Sequence, residues 1–325
     1  MKNKIQVGIV GYGNLGRGVE LALKQNPDFV LKGIFTRRDP SLIETDSKVI
    51  HISKVLDYKD QIDVMILCGG SANDLPKQCP MLAAHFNTVD SYDNHSNIPE
   101  YFKTVDRVAK NSHKVSLISV GWDPGLFSIN RLLAQSILPN GKSYTFWGKG
   151  VSQGHSDAIR KIKGVKYAIQ YTIPSEEAIE KVRAGNNPRL KTRDKHTRLC
   201  YVVPYDFNDI GRIEKEIKTM PNYFLNYHTT VHFITEEEFI KEHSKMPHGG
   251  FVIHTGKTND NHNQKIEFNL SLENNPEFTS SVLVAFARGA YRISLEGKKG
   301  AFSVFDIPFA YLSPKSGGEL RKELL

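Results

Sequence analysis

The chain has 325 residues, 39% of them hydrophobic and 10% aromatic, which is apolar surface enough for two folded cores and too much for a disordered chain. No apolar run approaches the ~20 residues of a membrane span, and Cys68, Cys79 and Cys200 are an odd set without paired metal spacing, which excludes a disulfide framework and points to no metal. The net charge of +8 is scattered, without a helix-turn-helix or zinc pattern, so no nucleic-acid partner is expected; clefts for anionic small molecules explain the excess of base.

The basic start, Met1 to Lys4, runs straight into a short strand without a cleavage-type sequence, so a cytoplasmic location is expected. That strand, Lys4 to Val10, breaks into Gly11-Tyr12-Gly13-Asn14-Leu15-Gly16. The spacing fits a dinucleotide fingerprint: Gly11 for the tight turn, Gly13 for backbone approach to a pyrophosphate, Gly16 for close helix packing. Leu15, Val19, Leu21 and Leu23 then give the next segment an apolar helical face, whose N-terminus offers an anion site. Phe29 to Phe35 reads as the second strand. At its end, where NAD-binding proteins usually carry an acid for the adenosine ribose, stand Thr36-Arg37-Arg38 instead. Guanidinium forks suit the oxygens of a 2′-phosphate, so the expected cofactor is NADP.

Short apolar runs follow around Val49 to Ile52. Ile62 to Cys68 is a continuous apolar run, as in a buried parallel strand, and ends in Gly69-Gly70-Ser71, a loop expected to line the cofactor cleft. Pro76 and Pro80 predict a broken helix start before Met81 to Phe86. The strand Thr88-Val89-Asp90 ends in Ser91-Tyr92-Asp93-Asn94-His95. Asn97 and Glu100 have capping-box spacing for a helix reaching about Lys110. Val115 to Val120 is the next strand, closed by Gly121-Trp122-Asp123-Pro124-Gly125.

From Gly121 the pattern changes to long amphipathic strands, Tyr144 to Trp147, Leu199 to Val203 and Tyr227 to Phe233, with a basic loop from Arg189 to Arg198. The fold expected is α/β: a Rossmann-type doubly wound parallel sheet over residues 1–120, then an α+β domain with a mixed, largely antiparallel sheet over 121–295. Asn275 and Pro276 open a helix carrying Val282, Leu283, Phe286, Ala290 and Ile293. A last strand, Ala301 to Phe305, belongs to a segment, 296–325, that can return to the first domain.

The ordered blocks Val10 to Gly16, Phe35 to Arg38, Tyr92 to His95, Gly121 to Gly125, Phe146-Trp147-Gly148, Ser152 to Asp157 and Met246-Pro247-His248-Gly249-Gly250 resemble the meso-diaminopimelate dehydrogenase family from the first strand to past Phe305. The blocks at Ser152 and Met246 are far more specific than the glycine fingerprint. The resemblance implies reversible NADP-dependent oxidative deamination at the D-configured carbon of meso-2,6-diaminopimelate. The products are ammonia and L-2-amino-6-oxopimelate, which cyclises to tetrahydrodipicolinate, a step toward lysine and cell-wall precursors. It also implies a homodimer. By motif, Tyr12 to Leu15, within the Gly11 to Gly16 fingerprint, hold the pyrophosphate and Thr36, Arg37 and Arg38 the adenosine phosphate. Cys68, Gly69, Gly70 and Ser71, with Thr88, Val89 and Asp90, line the nicotinamide side. Asp90, Asp93, Trp122, Asp123, Trp147, Gln153, Gly154, Thr172, Arg198, His248 and Asn275 meet the substrate. Val151 departs from the family, some relatives having a longer aliphatic or sulfur side chain there.

The chemistry of these residue types agrees. A diamino dicarboxylate needs cationic and hydroxyl donors, which Arg198, Thr172, His248 and Asn275 can supply, and acceptors for its ammonium groups, which Asp93 and Asp123 can supply. Asn275 serves equally as a helix cap or a ligand contact. Loss of hydride from a carbon bearing an ammonium requires that the amine lose a proton; Asp123 is the favoured acceptor and Asp93 the second choice. The alternatives are another NADP-dependent amino-acid dehydrogenase, a dihydrodipicolinate reductase-like enzyme, or a non-catalytic NADP sensor.

Overall fold

In the computed structural model, residues 4–221 and 223–325 are described; residues 1–3, the start of the basic N-terminus, and 222 lie outside them. The strands in chain order are β1 Ile5–Val10, β2 Phe29–Thr36, β3 Val49–His51, β4 Val64–Leu67, β5 Asn87–Asp90, β6 Val115–Leu117, β7 Lys142–Trp147, β8 Gly150–Val151, β9 Val165–Pro174, β10 His196–Pro204, β11 His228–Phe233, β12 His248–Asn259, β13 His262–Leu272 and β14 Gly300–Phe302. The helices are α1 Asn14–Lys24, α2 Leu75–Ala83, α3 Ile98–Asn111, α4 Leu126–Ile137, α5 Gln153–Arg160, α6 Glu176–Arg183, α7 Thr192–Lys195, α8 Ile210–Thr219, α9 Glu236–Glu242, α10 Asn275–Leu295 and α11 Gly317–Leu324.

The chain divides into two compact units, Met1–Ile129 with Pro276–Leu325, and Asn130–Asn275. The first boundary falls after residue 129, where the sequence suggests 120. The return comes at 276, where the sequence suggests 296. α10 therefore belongs to the first unit. Its apolar stripe is indistinguishable in sequence from that of a second-domain helix, and only its packing partner decides.

The first unit is a seven-stranded sheet ordered β14-β6-β5-β4-β1-β2-β3, parallel throughout. Strand alternation sends Ile5, Val7, Ile9, Val64 and Ile66 to one face, where α1 and α10 cover them with Val19, Leu23, Leu283, Phe286 and Ala290. The opposite face buries Met65, Leu67 and Phe35 under Leu75, Cys79 and Leu82 of α2 and Tyr101 and Val105 of α3. Arg288 of α10, 2% exposed, pairs with Asp28 at 2.6 Å. It also donates to Asn26 at 2.7 Å and to the Leu312 carbonyl at 2.6 Å, which staples the C-terminal segment to the turn before β2.

Several local expectations change. α2 is continuous through Pro80: burying Leu75, Cys79, Leu82 and Ala83 outweighs one missing N–H bond. α3 begins where expected, but Asn97 sits at φ −102, ψ −3 at the end of a 3-10 turn and makes no side-chain cap bond, because a capping side chain needs an extended backbone to reach back. α10 starts at Asn275 itself, one residue earlier than a cap at that position would imply. β6 and β14 end at Leu117 and Phe302, short of the expected Val120 and Phe305.

The second unit holds a four-stranded sheet, β11-β10-β9-β8, and a three-stranded one, β13-β12-β7. All pairs are antiparallel except β10 with β11, in keeping with the mixed, largely antiparallel expectation. α5 and α8 close one face of the larger sheet over Ala168, Cys200 and Val202, and α6 packs on Tyr144, Phe146 and Ile253 of the smaller sheet.

Candidate active site

In the first unit, strand order reverses at β1, with β2 on one side and β4 on the other, and the crevice beyond such carboxyl ends is where open α/β sheets bind ligands. A cleft of about 320 Å³ lies there, lined by Gly11, Tyr12, Gly13, Thr36, Arg37, Arg38, Cys68, Gly69 and Gly70, with Asp74 and Gln78 of the α2 segment. Gly16 is required by contact: a Cβ there would lie 2.2 Å from the Gly11 carbonyl oxygen. The N-cap of α1 is Gly13, which has no side chain to shield the positive end of the helix from an incoming phosphate. Asn14, Leu15 and Gly16 form the first turn of α1, and Ser71 continues the loop after β4.

The arginines at the rim are held by protein groups. The Arg38 guanidinium donates to the Tyr12 carbonyl, and its backbone N–H donates to the Thr36 hydroxyl at 3.1 Å. Arg37, 68% exposed, pairs with Asp74 at 2.9 Å, and Asp74 also accepts from the Gly70 N–H at 3.1 Å. Glycine backbone, two guanidiniums and a hydroxyl fit a dinucleotide carrying an extra phosphate. Asp74 and Gln78 were not legible as cleft residues: their approach depends on how α2 docks. Burial pushes the Cys68 thiol well up, so it stays protonated.

At the ends of β5 and β6 the side chains of Thr88, Val89 and Asp90 are 0% exposed. Thr88 donates to Ser116, and Val89 is core. The Asp90 carboxylate accepts from Tyr92 N–H at 2.9 Å, Ser119 N–H at 3.0 Å and the Tyr101 hydroxyl at 2.6 Å. Burial raises its pKa despite these bonds. An aspartate with three donors folds the loop that carries its neighbours, of which Tyr92, 3% exposed, turns inward and stacks on Tyr101. Asp93 is exposed, and its N–H donates to Ser71 at 3.2 Å, joining the loops after β4 and β5. Trp122 packs edge-on to Phe127 at 5.2 Å and bridges to Gly125; a Cβ on Gly125, at φ +132, would lie 1.8 Å from the Gly121 carbonyl oxygen. That tight turn presents the half-buried Asp123 at its tip.

The second unit gathers the remaining residues. Register pairs Arg198 of β10 with Thr172 of β9 and Thr229 of β11 on one sheet face. Arg198 is 6% exposed. Its guanidinium donates to the Thr172 hydroxyl and lies 4.0 Å from the Tyr227 ring centroid, and among the described residues no carboxylate pairs with it. Its Nε has no partner. The surrounding imidazoles are kept neutral: burial, with help from the Arg198 charge, lowers His155 to about 4, His196 to about 3 and His248 below the ordinary value. A buried cation without an anion, ringed by neutral donors, is an anion receptor.

Around it, the segment preceding β12 draws the other motifs in. Gln153 donates to Met246 Sδ at 3.4 Å, the Val151 N–H to the Pro247 carbonyl at 2.8 Å, and the Asn275 N–H to the Met246 carbonyl at 3.0 Å. Gly154, exposed, follows Gln153 in the first turn of α5. Val151, 5% exposed, packs with Ile169 and Tyr171, so the departure there touches core packing. Trp147 stacks on His196, with ring centroids 5.2 Å apart, and its backbone N–H donates to His196 Nε2 at 2.8 Å. His196 was missed in the sequence, although its place two residues before Arg198 on one strand puts both on the same face. Among the described residues no group of His, Cys, Asp and Glu side chains could hold a metal ion.

Residues 121–274 match the model of the diaminopimelic acid dehydrogenase C-terminal domain. The meso-diaminopimelate D-dehydrogenase of Ureibacillus thermosphaericus is 63% identical over 325 residues, covering 99% of this chain and all of that protein. Among solved structures, the Corynebacterium glutamicum DAP dehydrogenase in complex with DAP is similar at TM-score 0.94 with 46% identity, covering 100% of both chains. An engineered D-amino acid dehydrogenase bound to NADP+ is similar at TM-score 0.89 with 44% identity, over 99% of this chain and 100% of that one. The glycine-lined cleft and the uncompensated Arg198 thus sit in a chain that matches such proteins from end to end: it belongs to the meso-diaminopimelate D-dehydrogenase family.

Proposed function

We propose that the protein catalyses the reversible NADP-dependent oxidative deamination of meso-2,6-diaminopimelate at its D-centre, giving L-2-amino-6-oxopimelate, hence tetrahydrodipicolinate, and ammonia. The observation that carries this reading is Arg198, a buried guanidinium with a hydroxyl at its side and, among the described residues, no carboxylate of its own, which suits a substrate carboxylate.

The chemistry that the oxidised cofactor would supply is a hydride acceptor. The chain does the rest. Backbone from Gly11 to Gly16 would hold the pyrophosphate, with Thr36, Arg37 and Arg38 on the 2′-phosphate and the Cys68 to Ser71 loop on the nicotinamide side. Arg198, Thr172, His248 and Asn275 would fix the distal L-amino acid end, with Trp147, Gln153 and Gly154 shaping the rest. Positioning then selects the D-carbon, because orientation alone is worth several orders of magnitude in rate. Asp123 would accept the amine proton, with Asp93 as the second choice, while Asp90 builds the loop without touching substrate and Trp122 shapes the turn.

We read the enzyme as a homodimer of the bacterial cytoplasm, acting on a small molecule and on neither nucleic acid nor membrane. Exposed Leu132, Leu133 and Ile137 on α4 support a self-association surface. Among the described residues no helix is long and apolar enough to cross a membrane.

The test is NADPH formation with meso-diaminopimelate, with its LL isomer and with simple D-amino acids. The meso isomer is expected to be oxidised fastest; comparable oxidation of the LL isomer would overturn the two-ended recognition. Asp123→Asn is expected to lower turnover by about 10²- to 10⁴-fold, with NADPH affinity changed less than about twofold. Near-normal turnover would pass the proton-handling role to Asp93.

A further inference from the structure

Glu20 lies inside α1 and is 5% exposed. A carboxylate so deep must be satisfied, and Glu20 is: the Tyr12 hydroxyl donates to one oxygen, and the hydroxyls of Thr45, at 2.8 Å, and Ser47, at 2.5 Å, donate to the other. Lys24 lies 3.6 Å away. These donors hold the carboxyl below its usual range against the opposing pull of burial.

The partners of Glu20 are not scattered. Tyr12 stands within the glycine fingerprint, is 5% exposed, and is gripped at two ends, its hydroxyl by Glu20 and its carbonyl by Arg38. Thr45 and Ser47 belong to the segment between β2 and β3 that begins with Arg37 and Arg38. The same side chain therefore secures both flanks of the arginine loop, one through Tyr12 and the other directly. An exposed arginine on a long stem binds phosphate well only when its ordering is already provided by the fold.

We propose that Glu20 is a positioning residue for cofactor choice: by anchoring Tyr12 and the 45–47 segment it sets Arg38 where the 2′-phosphate of NADP is received. The inference rests on the NADP reading above. A purely structural carboxylate would affect every dinucleotide alike, whereas a positioning residue for the 2′-phosphate affects only the cofactor that has one.

The experiment compares Glu20→Gln, Ser47→Ala, their combination and Arg38→Ala in the full-length enzyme, with NADP+ and NAD+ each as cofactor. Glu20→Gln and Ser47→Ala are each expected to raise KM for NADP+ by roughly 10- to 20-fold, the low end for one hydrogen bond to a charged group. KM for NAD+ and turnover at saturating cofactor should move by less than about twofold. The combination should do no more than the larger single change, since both act through one link. Equal rises in KM for both cofactors, an unchanged KM for NADP+, or fully additive effects would overturn the inference. Should Glu20→Gln not fold, Ser47→Ala, which deletes one hydroxyl, decides alone. Arg38→Ala separates the two levels: if it leaves the preference for NADP+ intact, the 2′-phosphate assignment fails; if it abolishes the preference while the other variants keep it, only the role of Glu20 fails.

Discussion

The two units handle cations in opposite ways. In the first, Arg37 and Arg38 stand at the rim of a cleft, largely in water, each engaged by a protein acceptor, Asp74 or the Tyr12 carbonyl. In the second, Arg198 is buried beside neutral imidazoles, with a hydroxyl and a ring for company. A rim cation gains little from its ion pair and gives it up easily to a better anion. A buried one has paid its desolvation in advance and gains strongly from any carboxylate that reaches it. Cofactor exchange and strict substrate choice call for these two arrangements respectively.

The largest effect is expected at the buried cation. Arg198→Met should lower kcat/KM for meso-diaminopimelate by about 10³-fold, the loss typical of a desolvated charge pair, and leave NADPH affinity unchanged. The same substitution should leave the thermal midpoint of the ligand-free protein equal or higher, because removing an uncompensated buried charge relieves strain. A clear drop in the midpoint would mean that Arg198 is structural. Next comes the rim. Arg37→Ala with Arg38→Ala should raise KM for NADP+ by about 10²-fold, two charge-assisted bonds discounted for exposure, with NAD+ almost unaffected. The wild-type KM for NADP+ should also rise with salt more steeply than that for the substrate, since exposed charges are screened. Equal salt dependence would erase the contrast.

The smallest effect is in acid. His155, His196 and His248 are all held neutral in the folded second unit, below their ordinary 6.5. The unfolded chain therefore binds more protons, and the stability they lend is complete above about pH 6.5 and lost as pH falls toward 4 and 3. In the first unit Glu20 and Asp28 are lowered from 4.5 and 3.8, so their contribution is lost only below those values, while Asp90, raised by burial, works in the opposite sense. Hydrogen exchange resolved by peptide should show β9 and β10 losing protection near pH 5 while β1 and β4 keep theirs. Simultaneous loss would contradict the assignment.

How far these features could be read in advance follows the range of the interactions behind them. The glycine loop, the missing acid after β2 and the strand alternation are local, and the fold and the cofactor cleft were legible from them. The receptor in the second unit was legible only by resemblance to a family, since nothing local distinguishes Arg198 from a solvated arginine. Asp90 entered the site only by resemblance to a family, and its three donors come from residues up to 29 positions away. Glu20 carries no signal of its own in the sequence, because only the return of Thr45 and Ser47 gives it a purpose. The capping box at Asn97 failed because a 3-10 turn before it changed the backbone.

Arg288 and β14 have a consequence for how the molecule comes into being. Unit 2 is one continuous stretch, while unit 1 is made from two separate stretches on either side of it, so on the ribosome the inserted portion emerges whole before the portion that encloses it is complete. Until residues 300–302 arrive, the outer edge of β6 has no neighbour, an open strand able to pair with other chains. Until Arg288 arrives, Asp28 has no cation. Truncation ahead of residue 300 should therefore yield an aggregating product that still contains a folded middle, and circular permutation that joins residue 325 to residue 1 and opens the chain after residue 129 would let the first unit be synthesised without interruption.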